Sequence, residues 1–133
     1  MEFEEILSFV SDFFKANNDE DIDAFLRMFS TKPSYYSWGP TSLSKVKKDK
    51  QSFFRKWPEV EYAPIGEPEV IKKESNRFQV NINFDYYVRS MRRCKGQRGE
   101  SSFKLGIENI RNRWKITSIN ENVYYRDKSF QPC

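Results

Sequence analysis

A single carboxylate interrupts the apolar stripe of a predicted helix in the first half of the chain. Asp49 lies three residues after Val46 and four before Phe53, so helical geometry places the three on one face. Burial on such a face raises the pKa of a carboxyl group toward the range that suits an acid or base. Asp49 is therefore the candidate catalytic residue, for proton transfer next to a carbonyl group.

Hydrogen-bond donors that could assist Asp49 precede it in a short aromatic run. Tyr35, Tyr36 and Trp38 offer hydroxyl and indole groups that could stabilise an enolate-like oxyanion. Alternatively, Asp49 accepts hydrogen bonds from a Tyr, Trp, Arg or Lys and anchors the helix, because buried carboxylates persist only when they are paired. The second, structural role ranks ahead of the catalytic one.

The composition excludes several kinds of site. The chain has no histidine, which removes the commonest base near neutral pH, and its two cysteines cannot form a structural zinc site alone. We therefore expect no metal site and no cofactor. Cys94, in a basic turn, and Cys133, the last residue, do not suggest a disulfide framework.

Large aromatic side chains are the most abundant candidates for a binding pocket. Aromatic residues make up 17% of the chain, and rings of this size around a curved sheet favour a cavity for a small, largely apolar ligand. A core filled by the same rings is the alternative. The predicted pocket residues are Tyr35, Tyr36, Trp38, Phe53, Trp57, Phe84 and Tyr86.

Polar residues alternate with the apolar ones along the clearest predicted strand, Phe78 to Val88. Their mixture of polar and aromatic groups is typical of interfaces, so we predict a homodimer contact or a partner surface on this outer face. Asp85 is a second candidate acid, but the alternation directs it outward. The predicted interface residues are Asn81, Asn83, Asp85, Tyr87 and Arg89.

The formal net charge of +4 comes mainly from two basic runs. The first lies on the third predicted helix and the second around a predicted hairpin, and both are interpreted as solvated surface. Nucleic-acid binding ranks third among the functions, because no sequence motif accompanies the charge. No apolar run approaches the length of a membrane span and the start is acidic, so a soluble chain, cytoplasmic by default, is expected. The helical run comprises Lys45, Lys47, Lys48, Lys50, Arg55 and Lys56; the hairpin run comprises Arg89, Arg92, Arg93, Lys95 and Arg98.

Three helices are expected to position these groups. Apolar residues at helical spacing predict a helix over 3–16, a short helix from Ile22 through Phe29 that ends before Pro33, and a third from Leu43 to Trp57. The run 35–38 predicts a short strand that ends at a turn.

From Val60 onward the period changes to that of strands. After Ser118 the alternation reverses, because Ile119 and Val123 fall on the opposite face, and a β-bulge there would reset it. Helices followed by strands without βαβ alternation predict one α+β domain over 1–133, in which three N-terminal helices pack on a curved antiparallel sheet that forms a half-open cone.

The order of these motifs resembles the nuclear transport factor 2-like superfamily, including its SnoaL-like branch. Nearly the whole chain takes part in the resemblance, which depends on order and spacing. The matching segments are Phe13-Phe14, Asp21 to Leu26, Tyr35 to Gly39, Asp49-Lys50, Phe53 to Pro58, Phe84 to Tyr86 and Trp114 to Ile116.

The resemblance implies a cystatin-like roll with a pocket between the helices and the concave sheet face, in a chain that commonly dimerises through its outer face. The superfamily includes isomerases, cyclases, dehydratases and members without known activity, among them uncharacterised bacterial modules, so the fold alone selects no reaction. We rank non-enzymatic binding of a small apolar ligand or protein partner first. A proton-transfer enzyme similar to SnoaL or ketosteroid isomerase, with Asp49 as acid or base and tyrosine donors, is the alternative.

Overall fold

The structure, a computed structural model, describes residues 2–127 and 129–133 and contains three helices and a curved five-stranded sheet. The helices and the first strand alternate before the long strands begin. The elements are α1 (Glu2–Asn18), α2 (Ile22–Arg27), β1 (Phe29–Tyr35), a 3-10 turn (Tyr36–Trp38), α3 (Leu43–Lys56), β2 (Glu59–Glu74), β3 (Arg77–Ser90), β4 (Lys95–Ile110) and β5 (Arg113–Arg126).

The second helix is shorter than the sequence predicted. The Asp21 side chain caps its start by accepting a hydrogen bond from the Ala24 backbone nitrogen at 3.0 Å. Phe29, expected on its last turn, instead begins β1, where its ring packs 4.8 Å from that of Phe25. The prediction was wrong because Phe29 continues the helical spacing by chance, while the Ile116 backbone nitrogen donates to the Met28 carbonyl and starts strand pairing there.

The short strand predicted at residues 35–38 occurs earlier in the chain. β1 ends at Tyr35, and the following residues form the 3-10 turn, in which Tyr36 has a φ of 53°. Pro33 lies inside β1, which is tolerated because β1 is an edge strand. The turn leaves Tyr36 T-shaped against Tyr35, with ring centroids 4.6 Å apart.

The sheet order is β1-β5-β4-β3-β2. Strands β2 to β5 form antiparallel neighbours, whereas β1 pairs with β5 in parallel, and the sheet does not close. The helices precede the long strands and pack on the concave side. This arrangement confirms the α+β half-open cone.

A β-bulge in β5 corrects the phase reversal seen in the sequence. Ile116 pairs with Ile107 and Ser118 with Gly106, so Thr117 has no partner of its own across the sheet. The extra residue turns both Ile116 and Ile119 into the core, where both are fully buried. The bulge thus sets the facing of the residues from Ser118 to Val123, and a second irregularity in the pairing follows between Val123 and Tyr125.

The core consists mainly of aromatic rings held between the helices and the concave face. Phe84 and Phe103 stack with centroids 4.5 Å apart, and Phe13 and Phe14 of α1 pack edge-on against Phe103. The predicted inward face of β3 is confirmed, since Phe78, Val80, Ile82, Phe84, Tyr86 and Val88 are all buried.

The two cysteines are joined, contrary to the expectation that they would not form a disulfide framework. Cys94, in the turn after β3, forms a disulfide with Cys133, with Cα atoms 5.5 Å apart. The C-terminal segment also contacts the outer sheet face through Phe130, whose ring lies 5.1 Å from Tyr87 and 4.6 Å from the Arg98 guanidinium. The pairing was missed because it depends on the path of the chain after β5, which sequence spacing does not reveal.

Within the described residues, no helix is long and apolar enough to cross a membrane.

Candidate functional site

Asp49 bridges α3 to the first strand. The Tyr35 hydroxyl donates a hydrogen bond of 2.7 Å to Asp49 Oδ2, and Tyr35 itself is almost completely buried. Burial, followed by this hydrogen bond to Asp49, raises the pKa of the Tyr35 hydroxyl far above its usual range. The arrangement therefore keeps Tyr35 protonated as a donor to Asp49. The contact holds the carboxylate beside the interior of the cone.

The seven predicted pocket residues divide by burial. Tyr35, Trp57, Phe84 and Tyr86 belong to the buried core, and Tyr36 and Phe53 are half-buried against it. Trp38 is 48% exposed, with the Lys45 ammonium 4.5 Å from its ring centroid. The structure thus brings six of the seven to the core or its edge and leaves Trp38 on the surface.

Lys50 is the unexpected member of the interior. Its sequence position, four after Val46 and three before Phe53, places it on the inward stripe of α3, and only 6% of its surface is exposed. The expectation that Lys50 belongs to a solvated basic run was wrong for this residue, since a long flexible stem lets the ammonium reach between the helices. Its Nζ donates a 2.8 Å hydrogen bond to Asn17 Oδ1 of α1.

The Lys50 ammonium is surrounded by aromatic faces and forms no direct ion pair with any residue that the structure describes. Nζ lies 4.6 Å from the ring centroid of Phe25, 4.9 Å from that of Phe53 and 5.3 Å from that of Phe54. Burial lowers its pKa to about 8, and the neighbouring Asp49 and Glu121 charges only partly oppose this effect. The amine is therefore partly deprotonated near neutral pH.

Glu121 faces Lys50 from the sheet side. It pairs across the sheet with buried Phe103, and directly opposite residues share a face, so Glu121 points into the cone. Glu121 as a residue is exposed at the rim, yet its carboxylate accepts a 2.9 Å hydrogen bond from the fully buried Ser101 hydroxyl. Burial raises the pKa of this carboxyl group, while Ser101, Lys50 and Arg126 act in the opposite direction.

These groups form what we call the concave polar cluster, which consists of Lys50, Ser101, Glu121 and the phenols of Tyr36 and Tyr62. Burial raises the pKa of both tyrosines above the usual range, and Glu121 adds to the effect, so both hydroxyls remain protonated. The Lys50 and Glu121 charges, both in the described part of the chain, lie farther apart than the 4.0 Å of a direct ion pair. A cation, a carboxylate and neutral hydroxyl donors thus face the same interior, with the cation and the carboxylate beyond ion-pair distance.

The concave face remains uncovered next to this cluster. Val123 pairs with Ser101 and so faces inward, but it is 39% exposed because the helices do not extend over this part of β5. At the same end, Arg126 Nε lies 3.4 Å from the Tyr86 hydroxyl, which it can donate to. Val123 therefore forms an exposed apolar edge next to the polar groups inside the cone.

The predicted interface residues all lie on the convex face of β3, alternating with the buried ones. Several are held by neighbours: Asn81 Nδ2 donates to Glu69 at 2.7 Å, and Arg89 pairs with Glu59. Asp85 and Tyr87 line a depression of about 430 Å³ on this face. Their role in an interface stays a prediction.

The described residues contain no group of three or more His, Cys, Asp or Glu side chains that could hold a metal ion.

Sequence reasoning missed Lys50 and Glu121. The helical spacing that singled out Asp49 applies equally to Lys50, because positions 49 and 50 both lie between Val46 and Phe53 on the stripe. Glu121 lies beyond the β5 bulge, where the alternation cannot be phased without knowing that Thr117 is the extra residue. A search for charged residues at core spacing would have found the lysine.

No protein-family model matches the chain, and no curated protein matches it significantly. Solved structures match along almost the whole length. A candidate scytalone dehydratase from Novosphingobium aromaticivorans superposes with a TM-score of 0.84 at 9% identity, covering 97% of this chain and 88% of that one.

Two further solved structures identify the fold. A nuclear transport factor 2-like superfamily protein from Salmonella enterica has a TM-score of 0.80 at 10% identity, covering 95% of this chain and 93% of that one. A protein with a cystatin-like fold from Nostoc punctiforme has a TM-score of 0.72 at 14% identity, covering 94% and 90%. The chain therefore has the nuclear transport factor 2-like fold, as the resemblance implied. At these identities the likeness concerns the fold and not the activity.

Proposed function

We propose that this chain binds a small ligand with an apolar body in its cone, holding the ligand's polar end between Lys50 and Glu121. The observation that carries the proposal is the uncovered concave face, where Val123 is exposed beside its buried cross-strand neighbour Ser101. Binding sites of this kind are concave, mainly apolar and contain a few converging polar groups. The concave polar cluster supplies those groups.

The half-buried aromatic residues supply the apolar wall. Phe53 on α3 and Tyr36 after β1 are half-buried against the core, and Val123 is an exposed apolar residue on the inward face of β5. A ring or short aliphatic chain that displaced water from these three side chains would gain about 25 cal/mol for each Å² of apolar surface buried. The polar end of the ligand would meet a cation on one side and a carboxyl group on the other.

Thermal unfolding with a panel of small alcohols and phenols tests the proposal, since a ligand that binds the folded state raises the unfolding temperature. We expect Val123→Trp, which fills the rim, to abolish the shift that a ligand produces in the parent protein. Ile110→Trp, at an equally exposed position outside the cone, is the matched control and should retain it. A full shift in Val123→Trp would place the ligand elsewhere.

Proton-transfer catalysis is a second candidate function, favoured by the raised pKa of the Glu121 carboxyl group. The Asp49 carboxylate that the sequence suggested accepts from Tyr35, whereas Glu121 stands beside the uncovered face. Glu121→Gln and Asp49→Asn would separate the two in an assay of proton exchange next to a ketone. Loss of exchange in Glu121→Gln alone would assign the role to Glu121, and unchanged exchange in both would exclude this function.

We also propose that two copies of the chain associate through the convex sheet face. Tyr124 and Tyr125 are each 57% exposed, and Tyr124 contacts Asn83 of the predicted interface through its hydroxyl. Sedimentation analysis of Asn83→Arg tests this association, with Ser44→Arg on the exposed side of α3 as the control. The proposal requires a dimer that Asn83→Arg alone dissociates.

A further inference from the structure

The Lys50 side chain enters the cone with its amine oriented by the protein. The stem extends from the inward stripe of α3, and Nζ is held by Asn17 Oδ1 of α1 at 2.8 Å. Only 6% of the residue is exposed, in contrast to Lys47 and Lys48 in the preceding turn of the same helix, which are exposed. Among these three lysines, Lys50 alone presents its amine to the interior.

The surroundings of this amine disfavour its protonated form. The charged groups that face it are Asp49 from its own helix and Glu121 from β5; α1 and α2 contribute the neutral Asn17 and Phe25. The Asp49 carboxylate is already engaged by Tyr35, and Glu121 is beyond direct contact. Neutral amine, which is the nucleophilic form, is therefore available at a pH where exposed lysines are almost completely protonated.

We propose that Lys50 captures a small aldehyde or ketone with an apolar body as an imine within the cone. This rests on the proposed binding function and names the chemical class of its ligand. The lone pair of Nζ attacks the carbonyl carbon, a C–N bond forms, and the carbonyl oxygen receives a proton. The amine protons and the oxygen leave together as water when the C–O bond breaks, so the imine forms without an oxidant or reductant.

Glu121 and the tyrosines fit the requirements of this step. Loss of the hydroxyl group from the first adduct needs an acid, and the Glu121 carboxyl group has a pKa raised by burial on the facing wall. Tyr36 and Tyr62 stay protonated and can donate hydrogen bonds to the oxygen before it leaves. The apolar surroundings of Phe53 and Phe54 keep water away from the imine, which slows its hydrolysis.

Reductive trapping tests the inference directly. The protein is incubated at pH 7 with limiting benzaldehyde and cyanoborohydride, and peptide mass spectrometry measures benzylation at each lysine. We expect Lys50 to be modified about tenfold or more faster than Lys47 and Lys48, because its pKa of about 8 leaves more neutral amine. This advantage should shrink as the pH approaches 10. Modification of Lys50 no faster than that of Lys47 would overturn the inference.

Benzyl alcohol separates this inference from the proposed binding function, since it has the same ring but no carbonyl group. Lys50→Arg keeps the cation yet cannot form an imine, so it should lose trapping; Lys50→Met serves if the arginine does not fit. The parent protein itself should be stabilised by benzyl alcohol. Stabilisation by benzyl alcohol without trapping at Lys50 would refute imine capture and leave the binding function standing. Failure of both compounds to act on the parent protein would refute both.

Discussion

Asp49 and Lys50 are adjacent in the chain, yet α3 directs them to different partners. Asp49 receives the hydroxyl of Tyr35, and Lys50 extends to Asn17 and three phenylalanine rings. The first contact satisfies a carboxylate, whereas the second leaves a cation in an apolar setting without a direct counter-ion among residues 2–127 and 129–133. The difference predicts opposite consequences for stability.

The lowered pKa of Lys50 predicts that this residue makes folding more favourable as the pH rises. Below about pH 8 both states carry the ammonium, and the folded state bears its full burial cost. Between that pKa and the ordinary value of 10.5 the unfolded chain binds more protons, so stability rises with pH. Between about pH 7.5 and 9.5 the parent should gain about 1–2 kcal/mol over Lys50→Met. Urea unfolding at both pH values measures this, and parallel pH profiles for the two proteins would contradict it.

The hydrogen bond between Tyr35 and Asp49 predicts energetic coupling between their side chains. A charge-assisted bond of this kind, partly buried, contributes about 1–2 kcal/mol. Unfolding free energies of Tyr35→Phe, Asp49→Ala and the double variant give the coupling in a double-mutant cycle. If the two single losses simply add, the bond contributes nothing and the anchoring role of Asp49 is incorrect.

At the residue scale, the sequence located the interruption of the apolar stripe of α3 but singled out only Asp49 and not its neighbour Lys50. It found the interruption of the α3 stripe and predicted that an acid there would need a partner, which Tyr35 provides. It assigned Lys50 to the surface because runs of basic residues are mostly solvated, whereas α1 and α2 pack around this amine in the structure. Three-dimensional packing, and not helical spacing, decides which of these two adjacent residues is buried in the core.

At the scale of elements, the bulge at Thr117 lets Ile116 and Ile119 face the core together although they are three residues apart. Deleting Thr117 would leave Ile116 opposite Ile107 and Ile119 opposite Leu105, so both isoleucines and Glu121 keep their inward facing. The deletion should therefore lower stability by no more than about 1 kcal/mol. Thermal unfolding measures the change, with replacement of Thr117 by valine as the control that preserves chain length. A deletion variant that lost several kcal/mol would show that the inserted residue itself is needed for the pairing of β5.

The elements were predictable to different degrees for physical reasons. Periodicity gave α1, α3 and β3 because their apolar residues repeat over many turns or pleats. It failed at the end of α2, where six residues carry too little pattern, and it placed the first strand too late because the start of β1 depends on pairing with β5. The reversal in β5 did predict a bulge, since only an inserted residue brings two out-of-phase isoleucines to one face.

At the scale of the whole molecule, the disulfide fastens the C-terminal segment to the convex face. Cys94 and Cys133 are 39 residues apart. Closing a loop of this size raises the free energy of the unfolded chain by up to about 4 kcal/mol. The double variant with serine at both positions should unfold at a correspondingly lower urea concentration. Phe130→Ala, which removes the packing on Tyr87 but keeps the disulfide, should cost less. Equal stability of the serine variant and the parent would mean that the crosslink adds nothing.

The cone as a whole combines a filled core with an uncovered end. Helices α1 and α3 cover the aromatic centre, and beyond Ile119 the concave face of β5 is left to solvent. The same end carries the concave polar cluster, so the fold places its buried charges where a ligand could reach them. Both the proposed binding and the proposed imine depend on the uncovered end and the concave polar cluster lying together.

The central claim is that a small apolar ligand enters at this end, and methyl NMR during a titration with benzyl alcohol tests it most directly. We predict saturable shifts of the Val123 methyl signals at the rim, with those of Ile65 on the convex face and Ile110 at the end of β4 unchanged. Shifts confined to Ile65 or Ile110, or no saturable shift of Val123, would contradict the account.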